Sequence, residues 1–184
     1  EFLEREREIV SSLRVYNPWE WGGYLGWRLA PWHKVFGDGR YIFHQQLPEV
    51  QEAVTSPGNC RLFLKRRGIN AVLVRNMCSA VRTVKQYRDG SEKVFWRPWY
   101  LSYFPREEWA LAYWDRQSLF FARRGAVPRG WISAREYRYL RPGDDDAFEE
   151  AIRLKEIPLD VVEKERARHD QDLRDFAWMD PRLR

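Results

Sequence analysis

Six residues carry the polar chemistry that this chain could gather at one site: Asn17, Glu20, Trp21, Asp38, Arg40 and Asn76. Asp38 stands between Gly37 and Gly39, and glycines let another group approach a carboxylate closely. Its structural alternative is an Asp that caps a turn or pairs with Arg40. Glu20 lies three residues after Asn17, with Pro18 between them. That is a capping-box pattern, in which Glu20 would reach back to the Asn17 backbone. Its other reading is a carboxylate facing a crevice. Two carboxylates can hydrolyse a glycoside when they stand ~5–10 Å apart and one holds a raised pKa. His33, His44 and His169 show no metal-ligand spacing, so no metal site is expected. Nucleophile elbow, P-loop and dinucleotide fingerprint are all missing, and no cofactor is expected.

Positioning these residues needs strands that end together. Leu13–Tyr16 reads as a strand, Pro18 to just before Pro31 as a helix capped by Asn17, and Lys34–Phe36 as a second strand. Two strands joined by one helix form a right-handed crossover and should lie parallel. Asn70–Arg75, with AVLV at its centre, reads as a third, buried parallel strand. All three would end at one edge, which places Asn17, Asp38, Arg40 and Asn76 at the carboxyl end of an open sheet, where α/β folds hold their sites. Glu20 and Trp21 open the helix beside them.

Other elements follow from punctuation. Glu1–Ser12 is a predicted helix. Pro48–Thr55 is a short helix, broken by Ser56-Pro57-Gly58, and Asn59 is the expected cap of the next, which stops at Gly68. Asp89-Gly90 predicts a turn between two short strands. Trp109–Trp114 and Ser118–Arg123 predict a hairpin at one edge of the sheet, and Gly125–Gly130 a linker. Asp144 begins a helix to about Lys155, with acid at its positive end. Pro158 starts another to about Phe176, whose apolar stripe (Leu159, Val162, Leu173, Phe176) is thin and interrupted by Arg166 and His169.

The 184 residues carry a net charge of +5, spread along the chain, and 16% of them are aromatic. That aromatic load predicts either a bulky core or a surface that stacks on sugars, bases or lipid headgroups. No ordered basic stripe or aromatic RNA-binding signature is present, so no nucleic acid is expected. No apolar run approaches the ~18 residues of a membrane span. The chain starts at Glu1, inside an amphipathic pattern, as expected of a domain cut from a longer polypeptide. Cys60 and Cys78 flank a helix–strand unit in which a disulfide is geometrically possible, two buried thiols being the alternative.

The run NPWEWGGYLGWRL, followed by KVFGDGR and RRGINAVLV, resembles a recurrent extracytoplasmic domain. That domain lies at the C-terminus of bacterial polytopic membrane proteins of the glycosyltransferase C superfamily, the lipid-linked-sugar-dependent class. The resemblance covers about residues 1–124. A more distant similarity is to the WWDYG motif of the oligosaccharyltransferase catalytic subunit. Trp19 falls on its second Trp, Glu20 on the Asp, Trp21 on the Tyr and Gly22 on the Gly, while Pro18 replaces the first Trp. In that family the motif helps bind the acceptor hydroxyl amino acid. Its metal and catalytic carboxylates lie in loops between membrane helices, a region absent from this sequence.

The expectation is therefore a three-layer α/β domain (1–130) with a mostly parallel sheet and an antiparallel edge hairpin, plus a C-terminal helical extension (131–184). The resemblance implies a membrane-anchored protein on the periplasmic face, whose extracytoplasmic domain assists acceptor or glycan recognition. Its partners would be the transmembrane region of the same polypeptide, a glycan or lipid-linked sugar, and an anionic membrane surface. Two other readings remain: a protein-interaction module, and a carboxylate-dependent glycoside hydrolase using Glu20 and Asp38.

Overall fold

Three apolar runs, AVLV, LFFA and ALAY, become strands of one sheet. The computed structural model describes residues 1–177, with the side chains of all but 41–43, 176 and 177. In chain order the elements are α1 (Phe2–Arg5), α2 (Arg7–Val10), β1 (Val15–Tyr16), α3 (Gly22–Leu29), α4 (Leu47–Ala53), α5 (Pro57–Arg66) and β2 (Ala71–Arg75). Then come β3 (Ala80–Gln86), β4 (Glu92–Pro98), α6 (Tyr100–Tyr103), β5 (Trp109–Trp114), β6 (Ser118–Arg123), α7 (Arg129–Arg135), α8 (Asp145–Arg153) and α9 (Leu159–Ala177). They form two units. One comprises Glu1–Met77 and Tyr100–Glu136, the other Cys78–Trp99 and Tyr137 onward.

The first unit is built on a four-stranded sheet in the order β1-β2-β6-β5. Only β1 and β2 pair in parallel; β2–β6 and β6–β5 are antiparallel. The sheet is thus mixed rather than mostly parallel, because Lys34–Phe36 is not a strand. Its backbone is held instead by a side chain, as described below. The hairpin β5–β6 forms where the sequence predicted it, and β5 takes the edge. Leu119, Phe120, Phe121 and Ala122 of β6 are fully buried. Phe2 stacks on Tyr113 at 4.7 Å and meets Phe120, while Phe121 stacks on Phe104 at 4.8 Å.

Several local expectations change for identifiable reasons. The helix expected over Glu1–Ser12 breaks at Glu6 into α1 and α2. The Glu6 carboxylate accepts the Trp131 indole N–H at 2.7 Å and pairs with Arg135 at 2.5 Å. α5 is capped by Ser56, whose hydroxyl accepts the Asn59 N–H, with Pro57 in its first turn. Ser56 does the job expected of Asn59 because Pro57 fits the first helical position directly after it. α5 ends at Arg66, with Arg67 as its C-cap, just before Gly68, which has φ +63°.

The second unit contains the β3–β4 hairpin, with Gly90 at φ +83° in its turn, and the helices α8 and α9. Thr83, Lys85, Lys93, Phe95 and Arg97 share one face of the hairpin by register. α8 packs against β4. Of the stripe expected on α9, Val162 is buried, but Leu159 and Leu173 are exposed; the Phe176 side chain lies outside the described residues. Buried carboxylates do what the stripe does not. Glu165 accepts the backbone N–H groups of Arg138, Tyr139 and Leu140 at 2.8, 3.0 and 2.7 Å. Asp172 accepts the Tyr137 hydroxyl, and Asp144 pairs with Arg97. Among the described residues no helix is long and apolar enough to cross a membrane.

Candidate functional site

The site sits where the parallel strands β1 and β2 both end. Asn17 follows β1 directly and is buried. Its side-chain Nδ2 donates to the carbonyls of Pro18 and Gly37, both at 2.9 Å, and its Oδ1 accepts the Phe36 N–H at 2.8 Å. It is therefore a clamp across twenty residues and not a helix cap. The chain leaves it through a 3-10 turn, Trp19–Trp21, with no side-chain cap. The same clamp explains the missing strand: two backbone groups at residues 36 and 37 are satisfied by an amide side chain.

Gly22 opens α3 against this clamp. A Cβ there would meet the Gly37 carbonyl oxygen at 1.9 Å and the Asp38 Cα at 2.6 Å. Only glycine lets the helix come this close. At Gly23 a Cβ would meet nothing within 4 Å, so the first of the paired glycines is the one packing requires.

Asp38 is buried, and its carboxylate is occupied. Its Oδ1 accepts the Arg40 backbone N–H at 2.9 Å, and both oxygens face the Arg40 guanidinium at 2.7–2.9 Å. The hydrogen bond from the Arg40 side chain, aided by its backbone N–H and charge, holds the Asp38 carboxyl below the usual range. Arg40 itself is about two-thirds exposed, at 66% of its side chain. Asp38 thus stays charged and braces the loop, the structural alternative for this residue. That direction is opposite to the raised pKa that the acid of a glycosidase pair needs.

Glu20 does not reach back to Asn17. It is exposed and pairs with Arg75 at the end of β2, Oε1 to Nη2 at 2.9 Å. The Arg75 guanidinium also lies over the Trp21 ring, 5.8 Å from its centroid. Asn76, the next residue, donates its backbone N–H to Gln117 O at 2.8 Å and Nδ2 to Asp115 O at 2.7 Å. It ties β2 to the β5–β6 turn, where Asp115 caps its own loop through Gln117 and Ser118. The six expected residues are therefore brought to one end of the sheet. Asn17, Asp38 and Asn76 serve its architecture, while Glu20, Trp21 and Arg40 offer groups to solvent.

No family model, curated protein or solved structure matches this chain.

Four residues of the site were not singled out from sequence. Arg75 joins Glu20 to Trp21. Tyr24 and Trp27 project from α3 into solvent, 63% and 74% exposed, with ring centroids 6.2 Å apart. Arg28 lies 6.0 Å from the Trp27 ring centroid and pairs with Glu4 at 2.7 Å. Gly22 and Leu29 are the buried residues of α3, and the i, i+3 pair 24 and 27 falls elsewhere on the helix. Beneath the site, Tyr16, Phe36 and Phe63 meet pairwise at 5.4–5.9 Å, and burial pushes the Tyr16 phenol up to about 12. Both cysteines are free. Cys60 is buried, which pushes its thiol up to about 11, whereas Cys78 is exposed and not buried as expected.

Proposed function

We propose that this chain is a saccharide-recognition domain of a larger, membrane-anchored glycosyltransferase-like protein, acting on its extracytoplasmic face. The observation that carries the reading is the pair Tyr24 and Trp27. A fully buried aromatic needs only a core, but two neighbouring rings at 63% and 74% exposure forfeit burial worth roughly 1.5–3 kcal/mol each. Such rings suit the apolar face of a sugar, whose C–H groups lie on the π surface while its hydroxyls reach polar groups alongside. Glu20, Arg75 and Arg40 are the polar groups that the proposal assigns to those hydroxyls, and the close packing of Gly22 on the loop that Asn17 clamps holds the start of α3 in place. The sheet beneath is read as the middle of three layers: Phe120 meets Phe2 and Phe121 meets Phe104, successive residues facing opposite sides.

In this reading the domain contributes binding, and the transfer chemistry belongs to the membrane part of the same polypeptide. The isolated chain is expected to show no glycosyl transfer and no glycoside hydrolysis. Titration of the protein with cellobiose and with N,N′-diacetylchitobiose, followed by the indole N–H signals, tests the platform. The Trp27 signal should move saturably with at least one of them. Trp27→Ala should weaken that binding about tenfold or more without loss of fold. Movement confined to other tryptophans, or unchanged binding by Trp27→Ala, overturns the proposal. Binding to vesicles rich in phosphatidylglycerol, with no response to sugar, would favour an anionic membrane surface as the partner of the same rings.

A further inference from the structure

A cavity of the first unit is lined by residues other than the aromatic pair Tyr24 and Trp27. It has a volume of about 550 Å³ and runs between the start of β1 and the segment Pro31–Phe36. That volume is in the range of small-molecule sites, about 300–1,000 Å³. Its walls combine two chemistries. The half-buried Phe36 provides apolar surface, and the half-buried Trp32 adds an indole, while Leu13 and Val15 line it as core residues with little accessible surface. Arg7 lies over the Trp32 ring at 5.3 Å and fixes it. The charged lining is Arg14, Lys34 and Arg67, and no Asp or Glu side chain is part of it.

The charge of this lining is compensated only at Arg67. Arg67 is neutralised by Glu49, which takes its guanidinium and also lies near Arg66. Arg14 and Lys34 make no ion pair among the described residues, and both are exposed. His33 completes the polar lining, 5.7 Å from Trp32 between ring centroids. Burial lowers its pKa, so near neutral pH it offers a neutral imidazole rather than a third free charge. The cavity therefore presents two uncompensated cations, neutral polar groups from His33, Ser11 and Ser12, and the half-buried aromatic rings of Trp32 and Phe36.

We propose that this cavity binds a small organic phosphate monoester whose body is a single ring. The charge arithmetic selects the phosphate. A monoester carries about −1.5 to −2 near pH 7, which matches Arg14 and Lys34, whereas a carboxylate would leave one cation unpaired. The half-buried aromatic side chains select the ring: inorganic phosphate would leave Trp32 and Phe36 without an apolar partner in the cavity. The site is separate from Tyr24 and Trp27, so the saccharide reading and this one stand or fall independently. The Asn17 clamp holds the backbone N–H of Phe36, a residue of the cavity lining.

The probe is phenyl phosphate, titrated into the whole chain with amide and indole NMR signals as readout, beside inorganic phosphate, benzoate and phenol. Phenyl phosphate should shift the signals of Leu13, Val15, Trp32 and His33 saturably below about 10 mM, binding about tenfold or more tighter than the other three. The double variant Arg14→Gln, Lys34→Gln should lose that binding while its other signals stay in place, because both side chains are exposed. Arg61→Gln, a cation outside the cavity, should change nothing. No saturable shift, shifts mapping elsewhere, or unchanged binding by the double variant overturns the proposal. Benzoate binding as tightly refutes the phosphate assignment, and inorganic phosphate binding as tightly refutes the ring.

Discussion

The two units bury polar groups for different ends. In the first, the core is apolar: Leu111, Leu119, Phe120 and Phe121 are fully buried. Its buried Asn17 and Asp38 shape a loop at the rim of that core, by a clamp to residues 36 and 37 and a brace to Arg40. In the second unit the buried carboxylates organise the fold itself. Glu150 gathers the Tyr87 hydroxyl, Lys93 and Arg153, Asp144 holds Arg97, and Glu165 holds three successive amides. One unit can lose a polar contact and keep its core; the other has little apolar surface to fall back on.

The sharpest break of this comparison is Glu165→Ala. It strands three backbone N–H groups that a charged acceptor now satisfies, and it should destabilise the second unit by about 3–5 kcal/mol. Hydrogen exchange reads this locally, which matters because two units need not unfold together. Amides of Arg138, Tyr139 and Leu140 should lose protection while those of β2 and β6 keep theirs. Equal loss in both units would remove the distinction drawn above.

In the first unit the largest effect should come from Gly22→Ala, where backbone rather than a side chain must move. About 2–3 kcal/mol is expected, read as an earlier urea midpoint and altered signals for Gly37 and Asp38. Asn17→Ala should cost about 2 kcal/mol, since it leaves the Phe36 N–H without its acceptor. Wild-type spectra at residues 36–38 in that variant would show that the clamp is dispensable.

Acid should separate the units by slope. Hydrogen bonds from Arg153, Lys93 and Tyr87 hold the Glu150 carboxyl below its ordinary value of 4.5. The unfolded chain then takes up a proton before the folded one does, so Glu150 stabilises the fold above about pH 4.5 and that contribution fades as pH falls through its depressed pKa. Glu150→Gln should flatten the fall in unfolding midpoint below pH 4.5. An unchanged slope would place the acid sensitivity elsewhere. The smallest effect belongs to Gly23→Ala, with open space around the new methyl. It should stabilise α3 by about 0.5–1 kcal/mol, and a loss instead would mean that the second glycine also packs closely.

Legibility in the sequence followed the range of the interaction. Strands β2, β5 and β6, both hairpin turns, the stop at Gly68 and the restart at Pro158 could be read because each depends on a few neighbouring residues. The capping box at Asn17 had the right spacing and the wrong partner. An amide can bond to its own helix or to a strand twenty residues away, and only the packing of Gly22 on Gly37 and Asp38 settles which. The pairing of the β3–β4 hairpin with the C-terminal helices was invisible for a related reason. Lys93 with Glu150 and Arg97 with Asp144 are ordinary charges on the page until the hairpin face that carries them meets α8.

The amino-acid order by itself determined an α/β chain, its apolar strands, its turns and the placement of Asn17 and Asn76 where the parallel strands β1 and β2 end, whereas Asp38 and Arg40 reach that end through the Asn17 clamp and not through a strand. These follow from local periodicity and from the rule that parallel strands end on one side. Tertiary structure alone decided that Asp38 braces while Glu20 faces solvent, that Tyr24 and Trp27 stand bare, and that Arg14 and Lys34 face a cavity without an acid. Those outcomes depend on burial and on partners distant in sequence, and hydrogen bonds and charges are satisfied by whatever the fold brings within about 3 Å.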